Sequence, residues 1–354
     1  MPDERAQYGG QAVVEGVMMR SPRFFAVACR RMSDNRIVIQ QETVENHLRR
    51  VQWLNKPFLR GTLALIDAMA LGMKALTYAA NVQVADQSEA GIQETPAAGA
   101  ADLAMGEGIP RKATAGESKT INGIAIGVTT VVALVFGFGL FWTVPALATE
   151  WLLPHLAQAH TVGSQLGANL VEGGIRLVIF FLYIGLISRM SHVLRVFQYH
   201  GAEHKAINTL EARLPVTVEN ARVASRIHPR CGTNFIFIVL ITAIVVFSII
   251  PRHALSEGIG PVLETVGLRL LLLPVVAGIA FEILKWAGNN RDKRWAQALI
   301  APGLWTQYLT TRVPDDSQLE VAIAALESVW DKEHETAPQP LSAIPAAEPA
   351  AVVA

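Results

Sequence analysis

No charged residue occurs between residues 121 and 149, nor between 231 and 251. Each run matches or exceeds the roughly 20 apolar residues that carry a helix across a bilayer, and 235–250 is rich in Ile, Val and Phe. Two shorter apolar runs lie between charges: 177–188 between Arg176 and Arg189, and 270–281 between Arg269 and Glu282. They reach spanning length if those flanking charges snorkel to the interface. A buried helix of a soluble protein would read similarly, but uncharged sequence at 161–171 and 258–263 extends both runs. The pattern therefore predicts four transmembrane helices, at 121–148, 172–190, 235–251 and 262–281.

Other periods rule elsewhere. Within 24–31, Phe25, Val27 and Cys29 alternate with Phe24, Ala26 and Ala28; Ser33-Asp34-Asn35 is a turn signal, and 37–39 is again extended. This predicts a β-hairpin within a small element at 8–57, with Gly9-Gly10 opening a further strand through 11–19. Residues 58–82 read as a helix, with Leu63, Ile66, Met69, Ala70, Met73 and Leu76 at helical spacing and Asp67 the only charge between Arg60 and Lys74. Its apolar part is short, so it is expected to lie in the interface or on the bundle; a span there would change every orientation downstream. Residues 84–120 and 336–354 have the composition of a disordered linker and tail. Within the C-terminal segment 282–335, Leu319, Ala322, Ile323, Leu326, Val329 and Trp330 share one helical face after the start signal Pro314-Asp315-Asp316-Ser317. The fold class expected is a mainly α membrane protein: about four transmembrane helices, a small cytoplasmic β-hairpin element and a peripheral C-terminal helix.

Composition agrees. Of 354 residues, 51% are hydrophobic and 17% charged, with mean hydropathy +0.32, high for a soluble domain. Lys+Arg and Asp+Glu are both 30, which gives no reason to expect a nucleic-acid partner. Their distribution is uneven: with the N-terminal region, the 191–234 loop (Arg189 included) and the C-terminal segment on one side, 27 of the 30 basic residues share it. The positive-inside rule makes that side cytoplasmic. A multi-pass protein of the plasma (inner) membrane, with both termini cytoplasmic and the lipid bilayer as its partner, is the expectation. Two cysteines, Cys29 and Cys231, make no disulfide framework, and the N-terminus shows no apolar signal-peptide region. Arg291-Asp292-Lys293-Arg294 reads as a membrane-surface basic patch. No Walker loop, dinucleotide fingerprint or Gly-x-Ser-x-Gly elbow is present.

Two clusters at span ends carry candidate chemistry. His200-x-x-Glu203-His204 matches the inverted zincin pattern. On a helix, i and i+4 share a face, so both imidazoles can meet one ion while Glu203 takes a proton from metal-bound water. His228-Pro229-Arg230-Cys231 follows, in a turn that Pro229 keeps non-helical. His200, His204, His228 and Cys231 would form a four-coordinate N/S set suited to a divalent metal, zinc first. Four bound ligands make a closed, structural site; three leave a position for water and catalysis. Glu211, seven residues after His204, is a further candidate ligand, and Glu15 a candidate catalytic partner or a surface residue of an edge strand. Asp67 could carry a proton or make a structural pair. The competing reading of both clusters is interfacial anchoring by His, Arg and Tyr at headgroup level.

The run from Gly9 to Arg20 (GGQAVVEGVMMR), with Arg60-Gly61, the stretch from Tyr199 to Lys205, that from His228 to Thr233, Pro302-Gly303-Leu304-Trp305 and Thr310-Thr311-Arg312, resembles the YqhQ-like family of bacterial membrane proteins. The likeness covers roughly 8–82 and 119–330. It implies a membrane location and, by the family's description as predicted metal-dependent enzymes, a metal at these histidines. Two functions stay open: a metal-dependent hydrolase at the membrane surface, acting on a membrane-protein or lipid-linked substrate, or a scaffold or assembly factor whose cluster is structural. Transport is third, since the ionisable residues read as lying at span ends.

Overall fold

The computed structural model describes residues 8–44, 56, 59–89, 128, 131–154, 161–251, 258–290 and 293–334. The expected tail, and the linker beyond residue 89, lie outside the described residues. Two compact units emerge, one from Met1–Ile92, Ile184–Ala243 and Leu271–Ala354, the other from Gln93–Tyr183 and Ile244–Leu270.

In the first unit the expected hairpin is half of a four-stranded antiparallel meander: β1 Gly9–Val13, β2 Gly16–Arg20, β3 Phe24–Arg30 and β4 Ile37–Thr43. The β3–β4 turn is where Ser33-Asp34-Asn35 predicted it, with Asn35 at φ 59°, a conformation Asn tolerates better than most residues. Side chains alternate across a strand, yet both sets on β2 and β3 are apolar, because both faces are covered. Val13, Met18, Phe25, Val27 and Cys29 pack on Leu71, Ala75 and Ala79 of α1, Leu59–Glu89. Val17, Met19, Ala26 and Ala28 pack on Tyr199, Ala202 and Ala206 of α4, Ser191–Glu211, and on Leu319, Ala322 and Leu326 of α9, Asp316–Glu333. The C-terminal helix, outside the candidate spans, supplies the centre of this core. A capping box starts it: the Asp315 side chain accepts from the Gln318 backbone N–H, and Gln318 returns the bond.

This arrangement ties together the N-terminal, 191–234 and C-terminal segments that hold most of the basic residues. They belong to one compact unit.

Among the described residues, three helices besides α1 are long and apolar enough to cross a bilayer: α2 Val131–Leu152, α3 Val162–Ile187 and α7 Ile259–Asn289, of which Gly260–Asn289 qualifies. Arg60–Gln87 of α1 also qualifies by length and composition, whereas α6, Gly232–Ser248, is shorter. The sequence pattern counted α6 and set α1 aside. Side-chain partners show what α1 does with its length: beyond its sheet contacts, Asp67 pairs with Arg20 at 3.0 Å and Asp86 with Arg31 at 3.1 Å. It covers the sheet along most of its course, and it runs on to Glu89 through the start of the expected linker. Near its start Arg60 makes two bonds to Glu282 of α7.

Two flanking charges read as snorkelling are buried instead. In the second unit Arg176 and Arg269 both donate to Glu172, in the middle of α3, at 2.7 Å. An internal counter-charge removes the need for water, so α3 starts ten residues before the expected span. Two further helices lie among the described residues, the short α5 Val218–Val223 and α8 Arg294–Thr310, which contains Pro302.

Candidate metal centre

α4 is helical through the whole motif, as its spacing requires. It enters the core closely. A Cβ on Gly201 would collide with the backbone carbonyl of Arg312, whose N–H donates to Phe197 O at 2.8 Å. Only glycine lets the 312–314 segment lie against this turn.

The polar face of α4 then holds the second cluster by its backbone. Lys205 Nζ donates to Arg222 O (2.8 Å) and Ala224 O (2.6 Å), satisfying carbonyls at the end of α5. Asn208 Nδ2 donates to Ser225 O (2.7 Å) and Ile227 O (3.1 Å). Gln307, fully buried on α8, clamps the next residue: its Oε1 accepts from His228 N and its Nε2 donates to His228 O, both at 2.8 Å. The turn carrying Cys231 is thereby held over α4.

Each histidine of the motif is oriented from behind. Nδ1 of His200 lies 2.8 Å from Thr310 O, and Nδ1 of His204 lies 2.6 Å from Arg226 O. A carbonyl only accepts, so Nδ1 carries the proton in both and each Nε2 presents a lone pair. The rings sit 4.5 Å apart, centroid to centroid. Ligand atoms of His200, His204 and Cys231 lie within 4.8 Å of one another. Nε2 of His200 is 3.1 Å from Cys231 Sγ, and the Thr233 N–H donates to that sulfur at 3.4 Å. Nε2 of His204 is buried and has no hydrogen-bond partner among the described residues. An orphaned, inward lone pair beside a thiol and a second imidazole fits a soft divalent cation such as zinc. Burial pushes the His204 pKa down, which keeps it in the neutral form a metal needs.

His228 approaches without joining the set. Its ring is 5.7 Å from that of His204, but its Nε2 faces Glu211 Oε1 at 3.2 Å. Glu211 also pairs with Arg230, so its carboxylate is engaged by those two side chains. Glu203 is buried, and a Cβ on Gly10 would meet its Cγ at 2.9 Å, so β1 can pass only as glycine. The Gly10 N–H supports the carboxylate, yet burial dominates and pushes the Glu203 pKa up, against the lowering pull of His200 and His228. Glu203, His228, Arg230 and Cys231 line a cleft of about 200 Å³ with Gly10 and Arg20.

Glu15 is not among the residues lining that cleft. It sits in the β1–β2 turn at φ 50°, not on an edge strand. Arg195 makes two bonds to its carboxylate and Tyr199 donates at 3.2 Å. Its place is to pin this turn to α4. The backbone carbonyls of Thr310 and Arg226 and the Gln307 clamp were not foreseen. Carbonyls leave no trace in a sequence, and only the nearness of Gln307 to Pro302-Gly303-Leu304-Trp305 marked that region.

Apolar helices joined to an α/β unit that gathers two histidines and a cysteine define a multi-pass membrane protein with a candidate metal centre. The family profile "Protein of unknown function (DUF1385)" matches residues 56–332. The "Uncharacterized protein YqhQ" of Bacillus subtilis (strain 168) is 35% identical over 323 residues, covering 91% of this chain and 92% of that protein. The chain belongs to this family of YqhQ-like membrane proteins. No solved structure matches it.

Proposed function

We propose that this protein is a metal-dependent hydrolase acting at the cytoplasmic face of the plasma membrane. The observation that carries the reading is the convergence of His200, His204 and Cys231 next to a cleft that Glu203 lines. Three protein ligands would hold zinc and leave one position open, the arrangement of catalytic rather than structural sites. When bound, the ion would supply Lewis acidity and an acidified water. Glu203 would be the general base, and its raised pKa brings it toward neutral operating pH. Arg20 and Arg230, both lining the cleft, would orient the substrate, a membrane-protein segment or a lipid-linked molecule. The cytoplasmic side follows from the basic residues collected in the unit that carries the site.

A scaffold with a structural cluster is the second reading. It is favoured by the two Nδ1–carbonyl bonds, through which His200 and His204 already cross-link α4 to residues 226 and 310. Metal analysis of the detergent-purified full-length protein, with His204→Ala and Glu203→Gln beside it, tests both. The hydrolase reading expects one zinc per chain in the wild type and in Glu203→Gln, near none in His204→Ala, and wild-type-only cleavage in a membrane-extract peptide and lipid digest. Near-zero metal in the wild type ends both metal readings. Full metal with identical digests from wild type and Glu203→Gln leaves the scaffold.

A further inference from the structure

α8 has two faces, and only one of them serves the metal centre. On the helical repeat, Ala296, Ile300, Gly303, Gln307 and Thr310 fall on one side and are buried. Ala296 and Ile300 pack on Ala287 in the last turn of α7. Gly303 passes so close to the start of α6 that a Cβ there would meet the Asn234 side chain. Gln307 and the Thr310 carbonyl hold His228 and His200. Trp295 adds a second tie to α7, its ring stacking on Trp286 at 3.9 Å between centroids. α8 therefore runs across the feet of two apolar helices, meeting α7 at residue 295 and α6 at residue 303, about 12 Å apart along its axis.

The other half of its circumference faces outward and is apolar. Trp295, Leu299, Trp305 and Tyr308 lie there, exposed by 37%, 37%, 66% and 54%, and Trp286 of α7 continues the patch at 58%. No charged residue occurs from 295 to 311, while Lys293 and Arg294 precede the run and Arg312 follows it. A large exposed apolar patch marks an interaction surface. Tryptophan and tyrosine with cations at both ends are what settles at the boundary between headgroups and acyl chains. The seat of α8 points to the same boundary independently of composition. The candidate span in α7 runs to Asn289, and a helix that crosses the bilayer brings its end to the surface.

We infer that α8 lies in the plane of the bilayer surface, its outward face sunk among phospholipid acyl chains and Lys293, Arg294 and Arg312 at the phosphates. Lipid is the occupant that both the flanking charges and the contacts with the feet of α6 and α7 select. α8 is then the layer between lipid and metal centre. One helix diameter, about 10 Å, separates the acyl chains from the side that holds His228 and His200. The bilayer thus sets the depth of the cluster. The inference rests on the apolar helices and stands whether or not the cluster takes a metal.

Nitroxide accessibility in the full-length protein tests this. Ala298→Cys, on the exposed face of α8, and Arg36→Cys, exposed in the β3–β4 turn, are spin-labelled in nanodiscs of phosphatidylcholine and phosphatidylglycerol. Cys29 and Cys231 are buried, and wild type carried through the same labelling supplies the blank. At residue 298, dissolved oxygen should relax the label more than a water-soluble nickel chelate does, at a depth about 5–10 Å into the headgroup and acyl boundary. At residue 36 the nickel chelate should dominate. Should Ala298→Cys fail to fold, Leu299→Cys gives the same reading one position on. Nickel dominance at residue 298 overturns the inference, since the face would then meet water. Exclusion of both reagents overturns it too. Spin–spin broadening that disappears on dilution with unlabelled protein would assign the face to a second copy, and its absence would assign the face to a different protein contact.

Discussion

His200 Nε2 lies 3.1 Å from Cys231 Sγ, across 31 residues of chain. With Nδ1 committed to Thr310 O, the imidazole can only accept at Nε2, so the thiol donates. A cation entering here would replace that proton and take both atoms as ligands, with the vacant lone pair of His204 as the third.

Cys231→Ser should therefore cost more zinc affinity than the ~10–100-fold typical of losing an outer-shell partner, because a hydroxyl is a far poorer ligand than a thiolate. Competition with a calibrated chelator measures it. An unchanged affinity would remove Cys231 from the ligand set.

Glu203→Gln should stabilise the fold while abolishing hydrolysis. The folded-state pKa of Glu203 is raised by burial, so its contribution is fully present below the unfolded value near 4.5 and is lost as pH rises through the folded value. The variant escapes that loss, and its gain in Tm should be larger at pH 8 than at pH 5. The shift at His204 runs the other way, its folded pKa being lowered. In the metal-free protein, acidification below the unfolded value near 6.5 should destabilise wild type but not His204→Gln. Thermal melts at a series of pH values separate the two.

Gly201→Ala should destabilise by about 1–3 kcal/mol, the usual range for an overpacked core, because its Cβ would meet the backbone of Arg312 rather than a movable side chain. Chemical denaturation in detergent reads this out. The Thr310 carbonyl lies two residues away, so zinc affinity should fall with it.

Gln307→Leu keeps the volume but removes both bonds to the His228 backbone, leaving its C=O the longer 3.4 Å bond from Cys231 N. Losing a buried hydrogen-bond partner costs about 1–3 kcal/mol. The turn bearing Cys231 should loosen, seen as faster labelling of Cys231 by a thiol reagent, with Cys29, buried in the sheet core, as the internal control.

Much of the architecture could be read from periodicity. Alternation at 24–31 and the turn at 33–35 located β3 and β4, and the face from Leu319 to Trp330 located α9. What periodicity could not register is burial on two sides. A strand apolar on both faces, or a helix such as α1 with apolar residues facing the sheet and others exposed, gives no single stripe to follow. Charges misled for a related reason. Arg176 and Arg269 look like span ends until Glu172 is seen between them, and an ion pair 97 residues apart in sequence has no local signature.

By itself the sequence determined which segments are apolar, which segments collect the basic residues, and that His200, Glu203 and His204 share one helical region, since these follow from spacing along a single chain. Tertiary structure decided which atoms meet. Cys231 reaches the pair because Gln307, Lys205 and Asn208 hold its turn, and His228 is drawn off by Glu211. Glu15 goes to Arg195 for the same reason. Hydrogen bonds to backbone carbonyls aim the imidazoles, and every residue carries the same carbonyl, so no sequence letter could announce them.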